Sequence, residues 1–265
     1  MTEPTTPKSR TPRWRYVVPN AITCTGLLIG LVSVFRSMEG AYYEAAWLII
    51  LCVLLDKADG TAARLLRATS AIGVQLDSFS DFVTFGIAPG TLVYMALWQD
   101  PNQHFVIWQG DVATWVLRVL VAIYVLCACI RLAKFNVLSE ESDSGMACFY
   151  GLATTLCGAT VAVCYIVGVH YEAWDMMRWL PVGCFALGVL MVSNFPMPKL
   201  AATESKLMNG FVGLNVVAAY VLGITRTFPE YLLAMLGMYL VGGFVWGLRY
   251  REALKPRRLD PYPES

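Results

Sequence analysis

The segment from Asp56 to Asp81 decides how this chain is interpreted. It begins with Asp56-Lys57-Ala58-Asp59-Gly60-Thr61-Ala62-Ala63-Arg64 and, after eight further residues, continues with Gly73-Val74-Gln75-Leu76-Asp77-Ser78-Phe79-Ser80-Asp81. Asp56 and Asp59 are spaced i,i+3, and Asp77 and Asp81 are spaced i,i+4, which places each pair on one face of a helix. Because the two helices are consecutive and joined by a short basic turn, we expect them to run antiparallel and to bring the four carboxylates together.

The composition around this segment is that of a polytopic membrane protein. Of the 265 residues, 57% are hydrophobic and 15% are charged, and the mean hydropathy is +0.55. A soluble domain carries about 25% charged residues, so these values argue against a soluble chain, and also against a disordered or disulfide-rich secreted one. The net charge of +1 gives no general attraction for nucleic acid, which is therefore not an expected partner.

Eight apolar segments are each about long enough to cross a bilayer, which takes about 20 residues as a helix. The sequence therefore predicts an all-α, integral membrane protein with about eight transmembrane helices. The predicted spans are Val18–Phe35, Ala45–Leu66, Asp77–Leu97, Thr114–Val137, Ala147–Val169, Trp179–Phe195, Leu207–Ile224 and Tyr231–Leu248.

The basic residues predict the orientation of these spans, since Lys and Arg concentrate on the cytoplasmic side. With the N-terminus inside, 16 of the 20 Lys and Arg residues fall on that side. The exceptions are Arg36, Arg118, Arg178 and Arg226. A multi-pass protein of the cytoplasmic membrane is predicted, with both termini and the acidic segment facing the cytoplasm.

The four aspartates need a counter-charge. One ionised Asp near the centre of a bilayer costs about 2.5–3.5 kcal/mol on insertion scales. Two divalent cations would balance four carboxylates, and carboxylate oxygens suit hard ions such as Mg²⁺, Mn²⁺ or Ca²⁺. Paired metals of this kind clamp the attacking and leaving oxygens of a phosphoryl displacement. The alternative is that the aspartates end ordinary solvated helices and form ion pairs with Lys57, Arg64 and Arg67.

Small residues accompany the acids. Gly60, Ala63 and Gly73 keep the acidic face open, so that a ligand can approach the helix backbone closely. Arg64 has a fixed charge and forked donors, which suit a phosphate or a diphosphate.

The full spacing, D-x2-D-G-x2-A-R-x8-G-x3-D-x3-D, resembles the signature of the CDP-alcohol phosphotransferase (CDP-alcohol phosphatidyltransferase) family at every defined position. The resemblance implies that family's fold, two divalent metal ions (Mg²⁺ or Mn²⁺, with Ca²⁺ as an inhibitor or substitute) and a homodimer. It also implies that Asp56, Asp59 and Asp77 are metal ligands. Asp81 would be the base that deprotonates the acceptor hydroxyl and would also touch a metal.

The same resemblance implies where the cytidine diphosphate binds. Pro19-Asn20 and Thr23 look like the family's "PN-x-x-T" motif, so Asn20 and Thr23 are implied nucleotide contacts. The other implied contacts are Gly60, Ala63, Arg64 and Gly73. The chain then divides into a basic cytoplasmic N-terminal segment (1–17), a transmembrane catalytic domain (18–248) and a basic cytoplasmic tail (249–265).

Two further segments are similar to the phosphatidylserine synthases, the CDP-diacylglycerol–serine phosphatidyltransferases. Asp77 to Pro89 looks like their "DSxxDxxxFGxAP", and the segment Arg131-Leu-Ala-Lys134-Phe-Asn-Val137 matches their "RLARFNV" apart from Lys134. This resemblance implies an enzyme that is surrounded by membrane lipids and transfers a phosphatidyl group from CDP-diacylglycerol to L-serine. The products would be phosphatidylserine and CMP. One departure is Gly151-Leu-Ala-Thr-Thr155, which stands where these synthases have "GLPTP". The loss of both prolines predicts a changed helix bend beside the acceptor pocket.

The choice of acceptor depends on charge. Serine carries a carboxylate that choline and inositol lack, so a buried basic residue opposite the metal site would recognise it. Arg131, Lys134 and Asn136 are the first candidates, and Asn194 and Lys199, around the Pro196–Pro198 break, are the next. The alternative for Arg131 and Lys134 is that they anchor the helix end at the lipid headgroups.

Other functions remain open at this point. The same chemistry could use inositol phosphate, glycerol phosphate or another amino alcohol as acceptor. A cation-coupled transporter would also place acids inside the membrane, but it would be expected to show inverted repeats and broken helices in matching halves. A non-catalytic scaffold would have to keep four charges in the membrane without using them.

Overall fold

The structure is a computed structural model that describes residues 14–68, 70–141, 148–198 and 206–250. The outer parts of the two predicted basic ends, 1–13 and 251–265, lie outside these residues. The first helix already begins at Trp14, inside the predicted N-terminal segment.

The described residues are almost entirely helical. The chain contains α1 (Trp14–Met38), α2 (Tyr42–Leu66), α3 (Ala71–Asp81), α4 (Ala88–Trp98), α5 (Asp111–Glu141), α6 (Thr154–His170), α7 (Trp174–Met177), α8 (Leu180–Val192), α9 (Lys206–Thr225) and α10 (Pro229–Tyr250).

The all-α prediction is confirmed, apart from one short β-ribbon within the described residues. Strand β1 (Cys148–Tyr150) pairs antiparallel with β2 (Pro196–Pro198), and Tyr150 lies opposite Pro196. Gly151 follows β1 at φ +76°, a left-handed conformation that glycine adopts without strain. Its amide donates to Phe195 O at 2.8 Å, which extends the ribbon by one bond.

The ribbon also shortens two of the predicted spans. The fifth was wrong to begin at Ala147, because Cys148–Tyr150 form a strand, Gly151 is left-handed and α6 begins only at Thr154. The segment Gly151–Thr155 therefore leads into a helix and does not lie within one. The predicted change of a helix bend at this segment, based on the absence of the two "GLPTP" prolines, is thus wrong. The sixth span was predicted to reach Phe195, but α8 ends at Val192, since the residue before Pro196 is restricted to extended backbone.

A π-helical turn from Phe82 to Ile87 joins α3 to α4, so that residues 71–98 form one continuous helix. Neighbouring helices approach this turn closely. A Cβ added to Gly30 of α1 would collide with Thr84 Cγ2, and one added to Gly158 of α6 would lie 2.9 Å from Phe85 Cα. The buried hydroxyl of Tyr124 donates to Phe85 O at 2.7 Å. The turn is thus clamped by three helices directly after Asp81.

Large apolar side chains fill the space between the helices. Trp47, Phe85, Leu92, Tyr124 and Ile166 are all fully buried. Helix α1 packs along α2, and α5 packs along α8, while α6 lies between α2 and the π-helical turn. This core fixes α2, α3 and α5 relative to one another, which is what positions the functional site.

Several helices are suited to a membrane. Among the described residues, four helices are long and apolar enough to cross one: Arg15–Met38, Ala71–Trp98, Asp111–Val137 and Pro229–Arg249. Three shorter apolar helices accompany them: Thr154–His170, Leu180–Val192 and Gly213–Thr225. Helix α2 is long but carries Asp56, Lys57 and Asp59 in its second half, so its composition is not that of an ordinary spanning helix.

The two ends of this helix bundle differ in their polar residues. At the end that we call the Arg36 end, Arg36 forms ion pairs with Glu39 and Glu44, and Arg178 pairs with Asp175. Arg118 lies over the ring of Trp115, 5.2 Å from its centroid. The opposite end, which we call the aspartate end, contains the last turns of α2 and the first turns of α3.

Candidate active site

A tight connection brings the acidic residues of α2 and α3 together. Arg67 caps α2 in a left-handed conformation (φ 49°), and Ser70 then caps α3 by accepting a hydrogen bond from Gly73 N at 3.0 Å. This reversal makes α2 and α3 an antiparallel hairpin, as the sequence predicts. A side-chain cap of this kind stabilises a helix start by about 1 kcal/mol.

Three carboxylates converge inside the hairpin. Asp56, Asp59 and Asp77 each offer one oxygen, and these oxygens all lie within 4.8 Å of one another. Asp59 is buried, and the other two are half-buried. Asp81, one helical turn after Asp77, lines the same small cavity between α1, α2 and α3.

The group of Asp56, Asp59 and Asp77 fits a hard divalent cation. All of its donors are carboxylate oxygens, which Mg²⁺ and similar ions prefer. Asp56 Oδ2 is buried and has no hydrogen-bond partner among the described residues. Lys57 Nζ lies 3.2 Å from this oxygen as an ion pair without hydrogen-bond alignment, and its own side chain is 66% exposed. Buried polar atoms in proteins are nearly always hydrogen-bonded, so an unpartnered carboxylate oxygen here is an available ligand.

Helix α1 forms one wall of the site. Thr23 Oγ1 donates to Asp59 Oδ2 at 2.7 Å, and Ser80 Oγ donates to Thr23 O at 3.3 Å. Thr23, which the sequence resemblance assigned to the nucleotide, therefore orients a carboxylate in this structure. Asp59 can accept a metal on its other lone pairs while this bond holds the side chain in place.

The remaining nucleotide candidates lie near the mouth of the hairpin. Asn20 approaches Gly73, where an added Cβ would stand 3.1 Å from Asn20 Oδ1. Gly60 is exposed, with open space where a Cβ would lie, and Arg64 is exposed one turn further along α2. Ala63 is half-buried. The structure leaves the face along Gly60 and Arg64 open, and the roles of these residues stay predictions.

Arg131 approaches the aspartates from α5. It interacts electrostatically with Asp81 and, more weakly, with Asp56. Its Nη1 donates to Thr154 Oγ1 at 3.3 Å, and its guanidinium carbon lies 5.1 Å from the centroid of the Phe135 ring. The side chain thus reaches inward toward the carboxylates and not outward along the surface.

The other acceptor candidates lie farther along the same edge. Lys134 Nζ donates to Asn194 Oδ1, which joins α5 to the segment after α8. Asn136 Nδ2 donates to Ser78 Oγ at 2.9 Å, which joins α5 to α3. Lys199 lies outside the described residues.

The structure adds residues that the sequence argument did not assign. Thr154 contacts Arg131, Ser78 contacts Asn136, and Tyr220 of α9 donates to Leu54 O at 3.0 Å, half a turn before Asp56. Thr154 does stand within the segment that was compared with "GLPTP". No spacing rule pairs it with Arg131, because the two residues belong to different helices.

Comparison with protein families agrees with this geometry. A sequence model of the family described as CDP-alcohol phosphatidyltransferase matches residues 16–192, which run from α1 to the end of α8 and include every candidate residue except Asn194 and Lys199. This chain belongs to the CDP-alcohol phosphatidyltransferase family. The members of this family are transferases. They generally use divalent metals, which agrees with the clustering of Asp56, Asp59 and Asp77.

Individual relatives narrow the comparison. The chain is 28% identical over 233 residues to a CDP-diacylglycerol–serine O-phosphatidyltransferase of Helicobacter pylori, covering 87% of this chain and 90% of the relative. It is 32% identical over 192 residues to the enzyme of the same name from Bacillus subtilis, covering 71% and 94%. An archaetidylserine synthase of Methanothermobacter thermautotrophicus is 28% identical over 186 residues, covering 69% and 70%.

Proposed function

We propose that this protein is a CDP-diacylglycerol–serine O-phosphatidyltransferase, which transfers a phosphatidyl group from CDP-diacylglycerol to the hydroxyl of L-serine and releases CMP. The observation that carries the proposal is the convergence of Asp56, Asp59 and Asp77 in a family whose signature they complete. The relatives named for serine, which cover most of both chains, support the choice of acceptor.

In the proposed reaction, the serine hydroxyl oxygen attacks the phosphorus that carries the diacylglycerol. A new P–O bond forms to serine, the bond from that phosphorus to the bridging oxygen breaks, and CMP leaves with this oxygen. Asp81 takes the hydroxyl proton, since it lines the cavity next to the three clustered carboxylates. General-base catalysis of this kind contributes about 10²–10⁴-fold to a rate.

Two divalent ions, Mg²⁺ or Mn²⁺, would be held by Asp56, Asp59 and Asp77, with Asp81 at the edge of the site. Ca²⁺ would bind there as a substitute or an inhibitor. When bound, such ions neutralise a diphosphate and stabilise the charge on a leaving phosphate. Thr23 holds the Asp59 carboxylate ready for this role. Mutating a residue that hydrogen-bonds to a metal ligand, as Thr23 does to Asp59, typically lowers metal affinity by about 10–100-fold.

The nucleotide is proposed to lie along the open side of the hairpin. Asn20 and Gly73 stand together at one edge, and Gly60 leaves room for close approach along α2. Exposed Arg64 would pair with the diphosphate, for which its forked donors are suited. Ala63 would complete this surface.

Arg131 is proposed to recognise the acceptor carboxylate. It interacts electrostatically with Asp81, so serine bound between these two residues would present its hydroxyl to the base. Lys134 and Asn194 form a polar pair farther along this edge and would admit the amino acid. Asn136, which is bonded to Ser78, would fix the approach of α5 to α3, and Lys199 stays a prediction.

We also propose that the protein crosses the cytoplasmic membrane eight times, with its termini and the aspartate end in the cytoplasm. The sequence asymmetry of Lys and Arg supports this orientation, as does the placement of Arg36, Arg118 and Arg178 at the end away from the aspartates. The site would then open to the cytoplasm for serine and CMP, and sideways to the bilayer for the acyl chains. A homodimer stays a prediction.

The test is CMP release by the purified protein with CDP-diacylglycerol and Mg²⁺ or Mn²⁺, screened across serine, inositol phosphate, glycerol phosphate and other amino alcohols. We expect release that depends on serine and is abolished by a chelator. Release with a different acceptor would overturn the serine assignment and keep the family chemistry. Absence of metal-dependent release with every acceptor would overturn the enzyme assignment.

A further inference from the structure

A single hydrogen bond links Arg131 to α6. Arg131 Nη1 donates to Thr154 Oγ1 at 3.3 Å, and Thr154, the first residue of α6, has no exposed surface. Helices α5 and α6 contact each other over only a short stretch. The bond therefore lies at one of the few places where these helices meet, and it ends on an arginine that interacts with Asp81 and Asp56.

Three neighbours restrain the guanidinium group, and each acts differently. The ring of Phe135, 5.1 Å away, lies on the same helix and supports the group by a cation–π contact. Asp81 attracts it by charge. Thr154 is the neutral restraint: it occupies one of the five N–H donors and leaves the others free for carboxylates.

The neutral restraint matters because Asp81 and Arg131 attract each other. Without the Thr154 hydroxyl, a flexible arginine would be drawn onto Asp81 as a closed ion pair. Such a pair would occupy both the proposed base and the proposed partner of the serine carboxylate. An anchored guanidinium also loses less conformational entropy when a ligand binds, and arginine has about 2 kcal/mol of rotamer entropy to lose.

We infer that Thr154 is a positioning residue for acceptor recognition, whose hydroxyl holds Arg131 in the orientation that receives the carboxylate of the amino acid. The inference rests on the proposed function of the site. It assigns Thr154 a role through Arg131 and no contact with the lipid substrate. Changes at Thr154 should therefore alter the use of serine and leave the use of CDP-diacylglycerol unchanged.

The experiment compares three variants of the full-length protein. Thr154→Val keeps the shape and removes the hydroxyl, Thr154→Ser keeps the hydroxyl, and Thr155→Val removes a neighbouring hydroxyl as a matched control. We expect Thr154→Val to raise KM for serine about 10-fold, the size of one hydrogen bond to a charged group. KM for CDP-diacylglycerol should stay within about 2-fold, and both Thr154→Ser and Thr155→Val should resemble the parent protein.

Thermal unfolding of each variant in detergent shows whether folding is preserved. If Thr154→Val unfolds at a much lower temperature, Thr154→Ser still tests the role of the hydroxyl. A loss of serine affinity in Thr154→Ser would show that the methyl group matters, and it would overturn the inference. A Thr154→Val protein with unchanged KM for serine, or with both KM values raised equally, would also overturn it. Failure of the proposed function shows separately, since the parent protein itself would then release no CMP in response to serine.

Discussion

Carboxylates at the two ends of the bundle are used in opposite ways. At the Arg36 end, Glu39 and Glu44 both pair with Arg36, and their side chains are 57% and 51% exposed. At the aspartate end, Asp56 is only 17% exposed, and its buried oxygen has no hydrogen-bond partner among the described residues. Exposed ion pairs contribute at most about 1 kcal/mol to stability. The acids of the Arg36 end thus form exposed ion pairs, whereas the aspartate end keeps a buried carboxylate oxygen that no described residue hydrogen-bonds and that we propose binds a metal.

The largest expected effect on the rate of CMP release comes from Asp81→Asn, which changes a carboxylate at the aspartate end. The amide keeps the shape of the side chain but cannot take a proton, so CMP release should fall by about 10³-fold. The variant should still bind CDP-diacylglycerol, which is measured as the rise in unfolding temperature that the lipid causes. Glu44→Gln, which removes a carboxylate at the Arg36 end, is the control and should keep the rate of the parent protein. A near-normal rate in Asp81→Asn would contradict the assignment of the base.

Metal binding gives the second test and needs no turnover. Mg²⁺ or Mn²⁺ at 100 times its dissociation constant should stabilise the folded protein by about 2.7 kcal/mol. Asp56→Asn should lose most of this stabilisation, because it replaces a charged carboxylate oxygen that no described residue hydrogen-bonds with a neutral amide. Differential scanning fluorimetry with and without metal measures the shift. The matched control is Asp175→Asn at the Arg36 end, and an equal metal shift in Asp56→Asn and the parent protein would place the metal elsewhere.

Thr23→Val has the smallest expected effect and sharpens the comparison within one helix. It removes the 2.7 Å bond to Asp59 Oδ2, so that the apparent affinity for Mg²⁺ should fall about 10-fold. The metal dependence of CMP release measures this change. Thr25→Val is the control, since Thr25 is exposed and its hydroxyl donates only to Ala21 O among the described residues. Equal losses in both variants would show that the effect comes from the backbone of α1 and not from Asp59.

The sequence was sufficient to predict the parts of the site that depend on local spacing. The i,i+3 and i,i+4 intervals place Asp56 with Asp59 and Asp77 with Asp81, and a short turn makes their helices antiparallel. The structure confirms the meeting of Asp56, Asp59 and Asp77. Long apolar runs likewise predicted most helix bounds to within a few residues, because hydrophobic length is read directly from the chain. The exceptions are the starts of the third and fifth spans, predicted at Asp77 and Ala147, where the helices begin at Ala71 and Thr154.

Other features could not be predicted because they depend on contacts between distant segments. The β-ribbon consists of two three-residue strands, one of which contains two prolines, and such a pattern carries no alternating signal. The π-helical turn after Asp81 has the composition of an ordinary helix. The bond between Arg131 and Thr154 needs the crossing of α5 and α6, which neither helix specifies alone.

The β-ribbon has a consequence for the order in which the protein is built. The α2–α3 hairpin closes over the four residues from Arg67 to Ser70, whereas the ribbon joins Tyr150 to Pro196 across the three intervening helices α6, α7 and α8. Loop-closure entropy grows with the logarithm of loop length, so that the ribbon costs about 2 kcal/mol more to close than the hairpin. During synthesis the clustered aspartates can therefore meet while the segment that contains α8 is still being made. The contact between Arg131 and Thr154, at the base of α6 where the ribbon lies, forms later, so under the proposed function the newly made chain would gain its metal site before its acceptor site.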